Sequence, residues 1–160
     1  MEERIAHGVR LRREQLGLSA NDLAERSGVS RAMVSKIERR EVSPTAVLLG
    51  RLCSGLGITL SSLIASAETT AGPPIARAAT QPVWRDPATG LRRTMVSPSH
   101  TGSRTELVQV ELPRGARVQY DAQRTPYDQH VWVLQGRLTL TNEHEVIELG
   151  PGTTSPPTRT

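Results

Sequence analysis

A single cysteine, Cys53, stands among the 160 residues, so no disulfide can close within the chain. It lies in "LLGRLCSGLG" between apolar neighbours and reads as a buried structural thiol, not a redox or catalytic one. No apolar run is long enough to cross a membrane. The opening "MEERIAHGVR" lacks a cationic segment followed by an apolar core, so no signal peptide is read and a cytoplasmic location is expected. A CxxC pair, a phosphate-cradling glycine loop and a Ser-His-Asp constellation are also missing, and with them the usual marks of catalysis. What is there is a hydrophobic content of 36%, compatible with folding in water as one domain or two small ones. Residues 1–65 hold ten Lys plus Arg against seven acids, and residues 66–160 hold ten against nine. The basic excess lies mostly in the N-terminal part, and a pI near 10.2 makes anionic partners plausible without naming one.

The first 65 residues read as short helices. Ile5, Val9, Arg12 or Arg13, and Leu16 recur at helical spacing, and Gly17 offers a stop. Ser19 is an N-cap with Asp22 three residues on, for a helix that turns Leu23 and Ala24 inward and ends near Ser27-Gly28. Ser30 caps a third helix with Met33 or Val34 and Ile37 as its apolar stripe, leaving Arg31, Ala32, Ser35, Lys36 and Arg39 outward. Ser43-Pro44 reads as a cap and first-turn proline for a fourth helix through Leu48, Leu49 and Leu52 to Gly55. Thr59 opens a fifth with Leu60, Leu63 and Ile64 buried. Residues 66–82, "SAETTAGPPIARAATQP", have no period and read as a linker. Beyond them "LRRTMV", "TELVQVEL", "ARVQY", "HVWVLQG", "RLTLT" and "EVIEL" are β-favouring runs between turn residues.

Two short helices joined at Gly28, "LSANDLAERSGVSRAMVSKIE", have helix-turn-helix spacing. From Val9 to Ile64, with the "SPT" helix start and the "LGITLSSL" ending, the chain closely resembles the five-helix, lambda-repressor-like DNA-binding domain of xenobiotic response element regulators. The resemblance implies that Ser30 to Arg39 is a recognition helix. Arg31 would fork onto a guanine, Ala32 would touch a thymine methyl, and Ser35 and Lys36 would reach a base or phosphate. It implies a phosphate clamp at the start of the second helix, where many relatives carry Gln and this chain has Ala20. That leaves Ser19 and the helix amides for the phosphate. Arg39 and Arg40 read equally as phosphate neighbours or solvated charges. Arg13 and Glu38 match a pair that braces the first helix against the third. A charged outer face is also what any soluble helix shows. The turn and the resemblance together favour double-stranded DNA as the partner, and one recognition helix is a weak reader alone, so a homodimer is implied.

"HVWVLQGRLTLT" followed by "EVIELGPG" resembles the cupin barrel found after such DNA-binding domains in bacterial regulators. Metal-binding cupins place two His and a Glu ahead of the glycine that aligns with Gly136. Here the Glu place falls on Gln129 and the His places on Thr125 and Gln123, or on Arg124 and Ala122, so no metal and no cofactor are expected. His130 is one residue off, which on a strand points it to the opposite face. Thr153 replaces the aspartate of the second cupin motif, and the chain reaches Thr160 before that motif's histidine place. An incomplete barrel is the expectation, with a truncation or frame change as its hypothesis, and open edges would call for strands from a partner. The residues nearest a small-molecule effector pocket are Tyr120, Tyr127, Gln129, His130 and Trp132, although Trp132 and its apolar neighbours read more readily as core filling.

The reading is an α+β two-domain protein: a helix-turn-helix domain over residues 1–65, a linker over 66–82, and an incomplete cupin-like domain over 83–160. Its expected role is a cytoplasmic, sequence-specific transcriptional regulator without enzymatic activity, working as a homodimer with a sensing or dimerisation module. A metal-dependent cupin enzyme fused to a DNA-binding head, and an antitoxin-like DNA-binding partner of another protein, are the alternatives.

Overall fold

Side-chain caps open three of the four N-terminal helices, α1 Glu2–Gln15, α2 Ala20–Ser27, α3 Arg31–Glu38 and α4 Ala46–Leu56. The computed structural model describes residues 1–60, 62–63, 75–98, 105–120, 128–141, 145–156 and 158–159. Ser19 and Asp22 form a reciprocal capping box on α2, as the sequence leads one to expect. Helix α4 departs from that expectation: its cap is Thr45, whose hydroxyl accepts from the Leu48 N–H, whereas the Ser43 hydroxyl is drawn to Glu2 Oε1 at 2.5 Å. It also ends later, at Leu56, with Gly57 in the left-handed conformation. Gly55 instead lies inside, where a Cβ would stand 2.9 Å from Ser27 Cβ, so this glycine lets α4 approach α2. Leu16, placed by spacing on the inner stripe of α1, is exposed because the helix has already ended at Gln15.

A further helical turn opens at Thr59, whose hydroxyl accepts from the Ser62 N–H at 3.0 Å. Leu63 there is fully buried. Its carbonyl lies where a Cβ on Gly8 would meet it, so Gly8 lets this turn close on α1. Ile64 and most of the linker reading, residues 64–74, lie outside the described residues.

The contacts divide the chain into two compact units, Met1–Arg124 and Thr125–Thr160. In the first, a three-stranded antiparallel sheet follows the helices: β1 Val83–Arg85, β2 Arg92–Met95 and β3 Val108–Glu111, in that spatial order. Trp84, Leu91 and Met95 belong to the same core as Ile5, Val9, Leu23, Val34, Ile37, Leu49 and Leu52. Cys53 sits in that core, and burial pushes its thiol up to about 12, which fits the structural role read from its neighbours.

Among its described residues the second unit holds two small antiparallel ladders and one shorter pairing. Strand β4 Asp128–Gln129 pairs with β7 Thr158–Arg159, and β5 Leu138–Thr141 pairs with β6 Val146–Leu149. The expected strand over 130–136 is reduced to a short pairing: the Val133 N–H donates to Thr153 O at 3.0 Å and the Ser155 N–H to Val131 O at 2.8 Å. The segment 116–120 forms no strand, since no neighbouring segment among the described residues supplies its ladder. Trp132 is 62% exposed, so it does not fill a core; Val133 beside it turns inward.

Candidate nucleic-acid interface

Helix α3 is held from behind. Val34 and Ile37 are buried, three residues apart on one face, and packing fixes the rotation of the helix about its axis. At its entry, Gly28 adopts φ 66°, a left-handed conformation that glycine takes without steric cost. The Ser27 hydroxyl donates to Leu23 O at 2.6 Å and accepts from the Val29 N–H at 3.3 Å. Ser30 then caps α3 by accepting from the Met33 N–H at 3.3 Å. A buried turn and a hydroxyl cap thus set the angle between α2 and α3.

With that rotation fixed, Arg31, Ala32 and Lys36 are exposed and Ser35 is half-buried on the opposite face. Among the described residues no ion pair engages Arg31 or Lys36. Ser19 and Ser30 are exposed at the openings of α2 and α3, while Ala20 is half-buried and packs against the core. Ala20 therefore acts as a packing residue that contributes no polar group. Arg39 is differently placed: its guanidinium grips Glu41 with bonds of 2.7 and 3.2 Å. The hydrogen bond and charge of Glu41 raise the guanidinium pKa, and the same pairing lowers that of the carboxylate.

The brace between α1 and α3 is present. Arg13 Nε and Nη2 donate to Glu38 at 2.6 and 3.0 Å, and Nη1 donates to Leu18 O at 2.8 Å. One fork thus ties the end of α1, the following turn and the end of α3. The Glu38 hydrogen bond is the largest effect on Arg13 and raises its pKa against the opposing effect of burial.

Two features here were not anticipated. Arg40 has φ 64°, the only non-glycine residue with a positive φ among those described. Its N–H donates to Ile37 O and the Glu41 N–H to Lys36 O, the paired bonds that close a helix C-terminus on a left-handed residue. A glycine would have signalled that position; an arginine hides it. The second is Asp86, a buried carboxylate that accepts from the first N–H of α4.

The residues read as an effector pocket are not enclosed where they are described. Tyr120 is half-exposed and lies against Gly50 of α4, within the first unit. Gln129, His130 and Trp132 are exposed in the second unit, and Tyr127 falls outside the described residues.

Residues 9–63 match the HTH_3 helix-turn-helix family model. Over 146 residues the chain is 31% identical to the HTH-type transcriptional regulator SutR of Escherichia coli (strain K12), an alignment covering 88% of this chain and 75% of that protein. An uncharacterized HTH-type transcriptional regulator of Methanothermobacter thermautotrophicus is 39% identical over 49 residues, 31% of this chain and 71% of that one. Among solved structures, an HTH_3 family transcriptional regulator from Vibrio cholerae superposes with a TM-score of 0.56, covering 96% of this chain and 82% of that chain at 23% identity. That likeness shows a shared fold through both the helices and the antiparallel sheets. No helix among the described residues is long and apolar enough to cross a membrane.

Proposed function

The chain belongs to the HTH-type, HTH_3 transcriptional regulators and is a DNA-binding regulator, and from that premise we propose which residues read the DNA and how the chain is assembled. Arg31, Ala32, Ser35 and Lys36 face base edges in the major groove. Ser19, Ser30 and the opening amides of α2 and α3 meet phosphates, and Ala20 brings the backbone close without a side-chain clamp. Arg39 serves the phosphate backbone only by sharing or leaving Glu41.

The observation that carries this is the pairing of a locked inner face, Val34 and Ile37, with an outer one where no ion pair among the described residues engages Arg31 or Lys36. A rotationally fixed helix delivers the same side chains to the same base pairs each time. The division into a DNA-binding module over 1–65, a linker over 66–82 and a cupin-like module over 83–160 belongs to this reading. So do a homodimer acting in the cytoplasm, a small-molecule effector met by the cupin-like module, and the absence of a catalytic role.

Selection of bound sequences from a random duplex library at defined salt, with the solution mass measured alongside, tests the proposal. An enriched palindrome bound by a dimer is the expected result. Unselective binding by a monomer refutes the base contacts and the assembly together.

A further inference from the structure

Helix α4 follows the outward-facing α3, and its first N–H has no side-chain partner nearby in sequence, because the Thr45 cap serves Leu48. That N–H, on Ala46, donates to Asp86 Oδ1 at 3.1 Å from 40 residues away. Both residues are 2% exposed, so water cannot replace the bond. The same carboxylate accepts from the Ala88 and Thr89 N–H groups at 3.3 and 3.2 Å and from the Thr89 hydroxyl at 2.5 Å, which organises the turn between β1 and β2. One turn further along α4, on the same face, Gly50 leaves room for the Tyr120 ring, whose Cδ1 lies 3.2 Å from where a Cβ would stand.

We propose that Asp86 is a positioning residue that ties the β1–β2 hairpin to the start of α4, so that the sheet and the DNA-binding helices open and close together and a disturbance of one reaches the other. Its carboxylate has two jobs at once. It completes the hairpin turn, and it places a negative charge at the positive end of the helix whose N-terminus is joined to the end of α3 by residues 39–45. The tie rests on the family reading only for its consequence in DNA binding; the tie itself is testable without DNA.

The test is hydrogen exchange on the full chain, read over residues 83–95, in a cycle of Ala46→Pro and Asp86→Ala. Proline is accepted at the first helical position, where it removes that N–H and adds two ring carbons at a buried site, and Thr45 at ψ 165° already has the extended backbone that a following proline requires. Ala46→Pro should speed exchange of the hairpin about tenfold when Asp86 is present and leave it unchanged in Asp86→Ala. Equal effects in both backgrounds, or none in either, overturn the proposal. Should Ala46→Pro not fold, Asp86→Ala is read at the other end, where faster exchange over residues 46–52 is expected and unchanged exchange refutes the tie. In a second arm, a duplex recovered by selection should slow exchange of residues 83–95 in the wild type and not in Asp86→Ala. Duplex bound without that protection overturns the transmitted effect, whereas a chain that binds no duplex overturns the DNA-binding reading and leaves the cycle to decide the tie.

Discussion

In α1 to α4 the apolar side chains close on one another, with Ile5, Val9, Leu23, Val34, Leu49 and Leu52 fully buried, whereas over residues 125–160 Trp132, Leu134 and Val146 stand more than 60% exposed. The helices satisfy their own backbones and need only a stripe of side chains to join a core. The strands of the second unit depend on partners for every ladder bond, and its ladders are two to four residues long. Local rules therefore decide most of the helical part, whereas in the β part stability is a property of pairings between distant segments.

Truncating one apolar side chain in each region should break the symmetry most sharply. Leu52→Ala, in the middle of α4, should cost about 2–5 kcal/mol in urea unfolding followed by helical circular dichroism. Trp132→Ala removes a larger but exposed side chain and should cost under about 0.5 kcal/mol, because little area is recovered from water. Equal costs would mean that Trp132 is covered in solution. Next in size is the brace between α1 and α3. Glu38→Ala leaves the half-buried Arg13 fork without its carboxylate and should cost about 2–3 kcal/mol, while the preference among bases of a duplex that still binds is unchanged. An unaltered melting temperature would remove the brace from the account of α3's position.

The capping box at Ser19 and Asp22, the turn at Gly28 and an inward stripe of Ile37 with Met33 or Val34 were legible because each is decided within four residues, and the structure settles the stripe on Val34. The start of α4 was misread for a physical reason. "SPT" offers two hydroxyls around a proline, and which one caps depends on Glu2, far away in sequence, which takes the first. Asp86 carries a local sign, Asp-Pro ahead of Gly90, that marks a turn, but nothing in the sequence says that the same carboxylate reaches Ala46. Of the candidate interface, its outward residues were legible from period alone. The engagement of Arg39 by Glu41 was not, since i to i+2 neighbours on a helix do not face each other and the pair forms only because the helix has ended.

The contrast between Arg31 and Arg39 sharpens the same lesson on a smaller scale. Arg31→Ala should relax discrimination at one base pair by about 1–3 kcal/mol, read from affinities for single-base variants of a selected duplex. Arg39→Ala should weaken binding across all of them about equally and by less, since Glu41 already holds that guanidinium. The reverse pattern would exchange the two roles.

A small effect belongs to Arg40, where local rules fail inside the helical part itself. A side chain at φ 64° costs about 1–2 kcal/mol relative to the right-handed conformation, and glycine avoids most of that. Against this stands an exposed ion pair, Arg40 Nη1 to Glu3 Oε1 at 2.7 Å, of a kind that contributes about 0–1 kcal/mol. Arg40→Gly should therefore stabilise the chain by about 0.5 kcal/mol, and Glu3→Gln should cost no more than that. A stabilised Arg40→Gly that binds a selected duplex more weakly, with a salt slope smaller by about one, would identify the retained arginine as a phosphate contact whose service outweighs its strain. Stabilisation with binding unchanged would mean that the strain serves no contact with DNA.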